Sequence, residues 1–170
     1  MKKLLVQIVL LLLFGTNVHA ENLKFTKIID LDKPWGSSFI SDGEMIITEK
    51  SGKIKIINIK NGNVTKVDHN LNFLESGQGG LLDIIYKDNY LWLSYTENRG
   101  NSGTSTSIAR GKFDKNKIDF KNIFQANPPI DSGYHFGSRL AIKDNYIFAS
   151  VGERGQGMIA QDPTKHPGSI

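Results

Sequence analysis

The sequence predicts an all-β chain built from repeated meanders of roughly four strands, the pattern of propeller blades. Two observations carry this. Lys87-Asp-Asn-Tyr-Leu-Trp-Leu-Ser94 is echoed by Lys143-Asp-Asn-Tyr-Ile-Phe-Ala-Ser150, and more loosely by Ser41-Asp-Gly-Glu-Met-Ile-Ile-Thr48. No segment after residue 20 shows a sustained helical period with caps. The copies recur at roughly 45 to 55 residues, which suits blades better than a sandwich, whose strands would not return as a unit.

The elements follow in order. An apolar run precedes each Asp-Gly or Asp-Asn turn: Ser38-Phe-Ile40, Leu81 to Tyr86, and Leu140-Ala-Ile142. Such dipeptides between two apolar runs signal a tight hairpin. Further hairpins are expected from Lys53–Ile59 to Val64–Val67 across Asn61-Gly62, and from Ser107–Phe113 to Ile118–Phe120 across Asp114–Asn116. One short element precedes the first strand of each copy: Pro34-Trp35-Gly36, Gly77-Gln78-Gly79-Gly80 and Tyr134-His135-Phe136-Gly137. Around a common axis these would converge at one end of the channel, making Trp35, Gln78 and His135 neighbours suited to a small polar ligand. The connections Thr96–Ser107 and Gly152–Gln161 are expected at that same rim.

The first residues have another purpose. Lys2 and Lys3, the apolar run Leu4–Phe14 and the Val18-His19-Ala20 junction are those of an export signal over residues 1–20. The run is short for a bilayer span, so the expectation is a mature domain over residues 21–170, periplasmic or secreted, without stable membrane insertion. The formal charge is +4, and losing the two signal lysines leaves about +2, scattered over turns; nucleic acid is therefore not an expected partner. The absence of cysteine excludes disulfides, thiol nucleophiles and Cys-based zinc sites. No Gly-x-Gly-x-x-Gly opens a helix, so nicotinamide chemistry is not indicated.

Chemistry concentrates at Asp131-Ser-Gly-Tyr-His-Phe-Gly-Ser-Arg-Leu140. His135 is the candidate base, with Gly133 and Gly137 freeing the backbone and Arg139, Glu153 and Arg154 able to orient or tune it. The alternatives are plainer: Gln78 as a turn residue, Glu153-Arg154 as a solvated pair, Arg139 as a structural partner of Glu153, and Asp83 as an anchor. His69 and His166 read as surface residues.

Gly77-Gln-Gly-Gly-Leu-Leu-Asp83, Gly133-Tyr-His-Phe-Gly-Ser-Arg-Leu140, Gly152-Glu-Arg-Gly-Gln156 and Ala160-Gln-Asp162, in this order, resemble the pyrroloquinoline quinone dependent soluble aldose sugar dehydrogenases of the glucose/sorbosone dehydrogenase family. Pro34-Trp-Gly36 with Thr48-Glu-Lys50 fits the start of their first blade. The resemblance implies a six-bladed β-propeller, of which residues 21–170 would supply the first two to three blades. It implies oxidation of an aldose's anomeric hydroxyl to a lactone, with hydride passing to the quinone and electrons then to an external acceptor. His135 matches the family's general base, Glu153 an acidic residue beside it where related enzymes have Asp, and Gln78 a residue lining the sugar and cofactor pocket. Trp35 and Arg139 join the expected substrate and cofactor contacts. Calcium and the main quinone ligands are implied beyond residue 170, so none of these residues is assigned to a metal. The sequence therefore reads as the N-terminal part of a longer product, inactive by itself. The competing expectation is a non-catalytic secreted propeller that binds carbohydrate or protein on the same rim.

Overall fold

A computed structural model describes residues 23–170. The export signal expected at residues 1–20 lies outside the described residues. Eleven strands fall into three sheets, with two short 3-10 turns, Gly100–Ser102 and Gly157–Gln161, as the helical segments among the described residues. β1 (Pro34–Ser41), β2 (Glu44–Glu49), β3 (Lys53–Asn58) and β4 (Val64–His69) make an antiparallel meander. β5 (Leu81–Lys87), β6 (Tyr90–Asn98), β7 (Thr104–Lys112) and β9 (Lys121–Gln125) make the second, and β10 (Gly137–Lys143) with β11 (Tyr146–Val151) begins a third. β5 packs against both β1 and β10, so the first strand of each sheet is the innermost and the sheets follow one another as blades.

The Asp-containing turns form where the sequence placed them. Asp88 and Asn89 adopt φ of 52° and 62°, and Asp144 a φ of 52°, left-handed values that short Asp and Asn side chains tolerate. Between the first two blades the core gathers Ile46, Ile54, Ile56 and Val67 with Leu81, Ile84, Leu91 and Leu93, all essentially inaccessible to water. Each such side chain contributes about 1.5–3 kcal/mol by leaving water.

Two expectations need correction. The hairpin predicted from Ser107–Phe113 to Ile118–Phe120 does not form. β8 (Lys117–Ile118) instead crosses to the first blade and pairs in parallel with β4, Asp68 opposite Lys117 and His69 opposite Ile118. β7 takes β9 as its antiparallel partner. Asp114 accepts hydrogen bonds from the Asn116 and Lys117 N–H groups and turns the chain outward (2.7 and 3.1 Å). Ile118 and Phe120 then enter the core between the blades, while the Asn70 amide brackets the Phe120 backbone on both sides. Burying those two side chains outweighs a local hairpin. The loop expected over Thr96–Ser107 is also shorter, because Thr96–Asn98 and Thr104–Ser107 are paired strand.

The residue closing each repeat has a structural duty. The innermost strands all break register near their start, between Pro34 and Ser37, Leu81 and Ile84, and Gly137 and Leu140. Each break frees a backbone N–H, which donates to a hydroxyl on the second strand: Gly36 to Thr48 (3.0 Å), Asp83 to Ser94 (3.0 Å) and Arg139 to Ser150 (3.1 Å). The Thr48 and Ser94 hydroxyls donate onward to Leu82 and Ser138 carbonyls of the following blade. One buried hydroxyl thus satisfies a bulge and joins two blades.

Candidate active site

His135 lies on the connection entering β10, with a φ of 48° that a non-glycine residue holds only when its surroundings fix it. Those surroundings come from two blades. The His135 N–H donates to Gln78 Oε1 (2.9 Å), and the Gln78 N–H donates to the Gly133 carbonyl (2.7 Å). Gln78 and His135 are therefore neighbours, as the repeat implied. A side chain at Gly77 would put its Cβ 2.3 Å from the Gly133 oxygen, so the two segments can meet only with glycine there. The Lys50 ammonium donates to the Gly77 carbonyl and closes the connection from the first blade.

The imidazole itself is held by Glu153, whose Oε1 faces Nδ1 in direct contact and also accepts the Gly155 N–H (3.0 Å). A carboxylate can only accept, so Nδ1 carries the proton. In the neutral ring the lone pair is then on Nε2, which has no protein partner among the described residues. The hydrogen bond from His135 is the main cause holding the Glu153 carboxyl below its usual range. Both side chains remain reachable from solvent. Gly152 brings the second strand close enough that an added Cβ would lie 1.8 Å from the His135 carbonyl oxygen.

Arg154 is the residue that sequence reasoning undervalued. The plainer reading of Glu153-Arg154 as a solvated pair is wrong for Arg154, which is only 2% exposed. Its guanidinium donates to the carbonyls of Tyr134 (2.9 Å), Thr104 (3.1 Å) and Ser132 and to the Thr104 hydroxyl (2.7 Å), and it lies 3.6 Å over the Phe136 ring. Burial pulls the guanidinium down to about 10, which leaves it cationic at neutral pH. Charge-assisted bonds of about 1.5–3 kcal/mol each offset that desolvation. The signal available in the sequence was a long charged residue between Gly152 and Gly155, a place where a chain can turn a side chain inward.

The remaining candidates separate. Arg139 does not pair with Glu153. It reaches Asp83 (3.0 Å), whose second oxygen accepts the Leu140 N–H (2.8 Å), so Asp83 anchors β10 to β5. Trp35 sits partly exposed on β1 and makes no ring contact with His135 among the described residues; the ring beside His135 is Tyr134, at 6.2 Å between centroids. A cavity of about 300 Å³ lined by Lys87, Tyr90, Trp92, Arg110 and Tyr146 lies at the far end of the strands, away from His135. No three His, Asp or Glu residues cluster as metal ligands among the described residues.

The blades bring an imidazole–carboxylate pair and an amide together at one rim, which defines the class as a β-propeller with a polar rim site. The chain belongs to the glucose/sorbosone dehydrogenase family, which it matches over residues 31–170. Aldose sugar dehydrogenase YliI of Escherichia coli (strain K12) is 33% identical over 150 residues, covering 82% of this chain and 40% of that protein. A glucose dehydrogenase crystal structure superposes with a TM-score of 0.78 at 26% identity, covering 84% of this chain and 45% of that one. The PQQ-bound form of an aldose sugar dehydrogenase from Streptomyces coelicolor shares the fold, with a TM-score of 0.75 at 22% identity over 86% of this chain and 46% of that one. The chain thus spans less than half the length of these relatives.

Proposed function

We propose that this chain carries the base half of a quinoprotein sugar dehydrogenase, which oxidises the anomeric hydroxyl of an aldose to a lactone. The observation that carries the reading is the His135–Glu153 contact, which leaves Nε2 free at the rim. As the anomeric O–H bond breaks, its proton passes to Nε2. The oxygen's electron pair forms the new C=O bond while the anomeric hydrogen leaves as hydride with the C–H bond's electron pair. Pyrroloquinoline quinone, when bound, supplies the two-electron acceptor for that hydride. Glu153 keeps Nδ1–H in place and stabilises the imidazolium that results. Gln78 fixes the His135 backbone, and its amide N–H₂ remains to donate to a sugar hydroxyl or a quinone carboxylate.

The donor set fits one side of such a cofactor. An amide and an imidazole edge face solvent here, while the nearby cations are engaged: Lys50 by Gly77, Arg139 by Asp83 and Arg154 by backbone. Among the described residues the quinone's anionic groups accordingly find no free cation beside His135, and any calcium no ligand cluster. An external acceptor and a periplasmic or secreted location complete the proposal, the latter on Lys2, Lys3, Leu4–Phe14 and Ala20.

The test is His135→Ala in the complete gene product loaded with quinone and calcium. A positioned base contributes about a hundredfold to ten-thousandfold, so kcat should fall by that much while quinone binding persists. Normal kcat in a folded, quinone-loaded variant would sink the assignment and favour a propeller that binds carbohydrate or protein.

A further inference from the structure

Glu153 and Arg154 are adjacent, yet they grip His135 from opposite sides. Glu153 meets the imidazole at the solvent surface, whereas Arg154, turned by a φ of 59°, runs beneath the backbone that carries it. The guanidinium has no carboxylate partner among the described residues. All its hydrogen bonds go to Ser132, Tyr134 and Thr104, and its plane covers Phe136. Ser132, Tyr134 and Phe136 lie along the segment that bears His135; Thr104 belongs to the preceding blade. The Arg154 N–H adds a bond to the His135 carbonyl (3.3 Å).

We propose that Arg154 is the positioning residue of the base, a buried clamp that holds the left-handed His135 backbone so that Nδ1 stays on Glu153 and Nε2 stays free. The assignment rests on the reading of His135 given above. It differs from a general stabilising role because every group the guanidinium grips either carries the base or ties it to the neighbouring blade. A planar cation with several donors can satisfy carbonyls in different directions at once, which a lysine ammonium on the same stem cannot reproduce.

The experiment uses the complete protein with ¹⁵N-labelled histidine rings, compared with Arg154→Met and Arg154→Lys. At mildly alkaline pH the wild-type His135 ring should report a protonated Nδ1. In Arg154→Met the signal should move toward the mixed tautomers of a free imidazole, and kcat should fall by roughly ten- to a hundredfold, the scale of a small misplacement of a reacting group. Lysine should recover part of both. A folded Arg154→Met variant with an unchanged tautomer signal and unchanged kcat would overturn the proposal. If Arg154→Met does not fold, Thr104→Val removes the 2.7 Å acceptor, together with that hydroxyl's bond to the Ile130 carbonyl, and keeps the Thr104 carbonyl's bond to Arg154. A shift of the His135 signal in the same direction then supports the clamp, and an unmoved signal overturns it. If His135→Ala keeps full turnover, the function of the base fails, yet the ring signal still decides whether Arg154 positions it.

Discussion

Replacing Thr48 separates a hydroxyl from a methyl at a fully buried point where two blades meet. Thr48 is inaccessible to solvent; its hydroxyl accepts the Gly36 N–H at 3.0 Å and donates to the Leu82 carbonyl of the next blade. Thr48→Val keeps the volume and leaves both backbone groups without that partner. An unsatisfied buried donor or acceptor costs about 1–3 kcal/mol, so the pair amounts to roughly 2–6 kcal/mol. Thr48→Ser keeps the hydroxyl and removes one methyl, at a cost of about 1 kcal/mol. The order is the diagnostic, because burial of apolar surface alone would make valine the better tolerated residue. Urea unfolding of the complete protein, read from the midpoint at unchanged slope, gives both values. Valine equal to or better than serine would refute the inter-blade role of the hydroxyl.

Two further outcomes follow from the site. Gly152→Ala should cost most of the activity and destabilise the third blade, since its Cβ would lie 1.8 Å from the His135 carbonyl oxygen, backbone that cannot swing aside; wild-type turnover and melting temperature in that variant would count against the described approach of the strands. The Glu153 carboxyl is held below its ordinary 4.5 chiefly by the hydrogen bond from His135, so its contribution to the site is fully present above 4.5 and is lost as pH falls through the lower folded value. A ¹³C titration of the Glu153 carboxyl should therefore give a midpoint under 4.5 that rises in His135→Ala, and a midpoint at or above 4.5 in the wild type would show that the pair is not engaged.

The turns and the inner strands were legible because their signals are local. Asp42-Gly43, Asp88-Asn89 and Asp144-Asn145 each sit between apolar runs, and each closes a hairpin. Even the Thr or Ser ending each copy was visible as a repeat, although its bond into the next blade was not. What sequence reading missed depends on partners far along the chain. Ile118 and Phe120 alternate as any hairpin strand would, and only the space between two blades determines that they leave β7. Arg139 had a nearby carboxylate in Glu153 and took Asp83, because the inner strands of successive blades run side by side.

The Thr104-Ser-Thr-Ser107 run is the most instructive miss, since hydroxyl-rich composition normally marks a loop. Here Ser105, Thr106 and Ser107 are almost wholly buried in β7, and the run's hydroxyls find specific partners, Ser105 accepting from Arg99 (3.3 Å). Ser107 donates to Glu97 (2.7 Å), Thr106 to the Phe136 carbonyl (2.8 Å), and Thr104 to the Ile130 carbonyl (3.2 Å) while accepting from Arg154. Three of those bonds end on the segment carrying His135 or on Arg154. An apolar strand in that place would pack as tightly and would offer these polar groups no partner. The polarity of β7 is therefore part of the site: the second blade uses a buried strand's side chains to fix the third blade's entrance, where His135 is held on a left-handed backbone. That dependence explains why neither blade presents the imidazole alone, and why His135 lies at their junction.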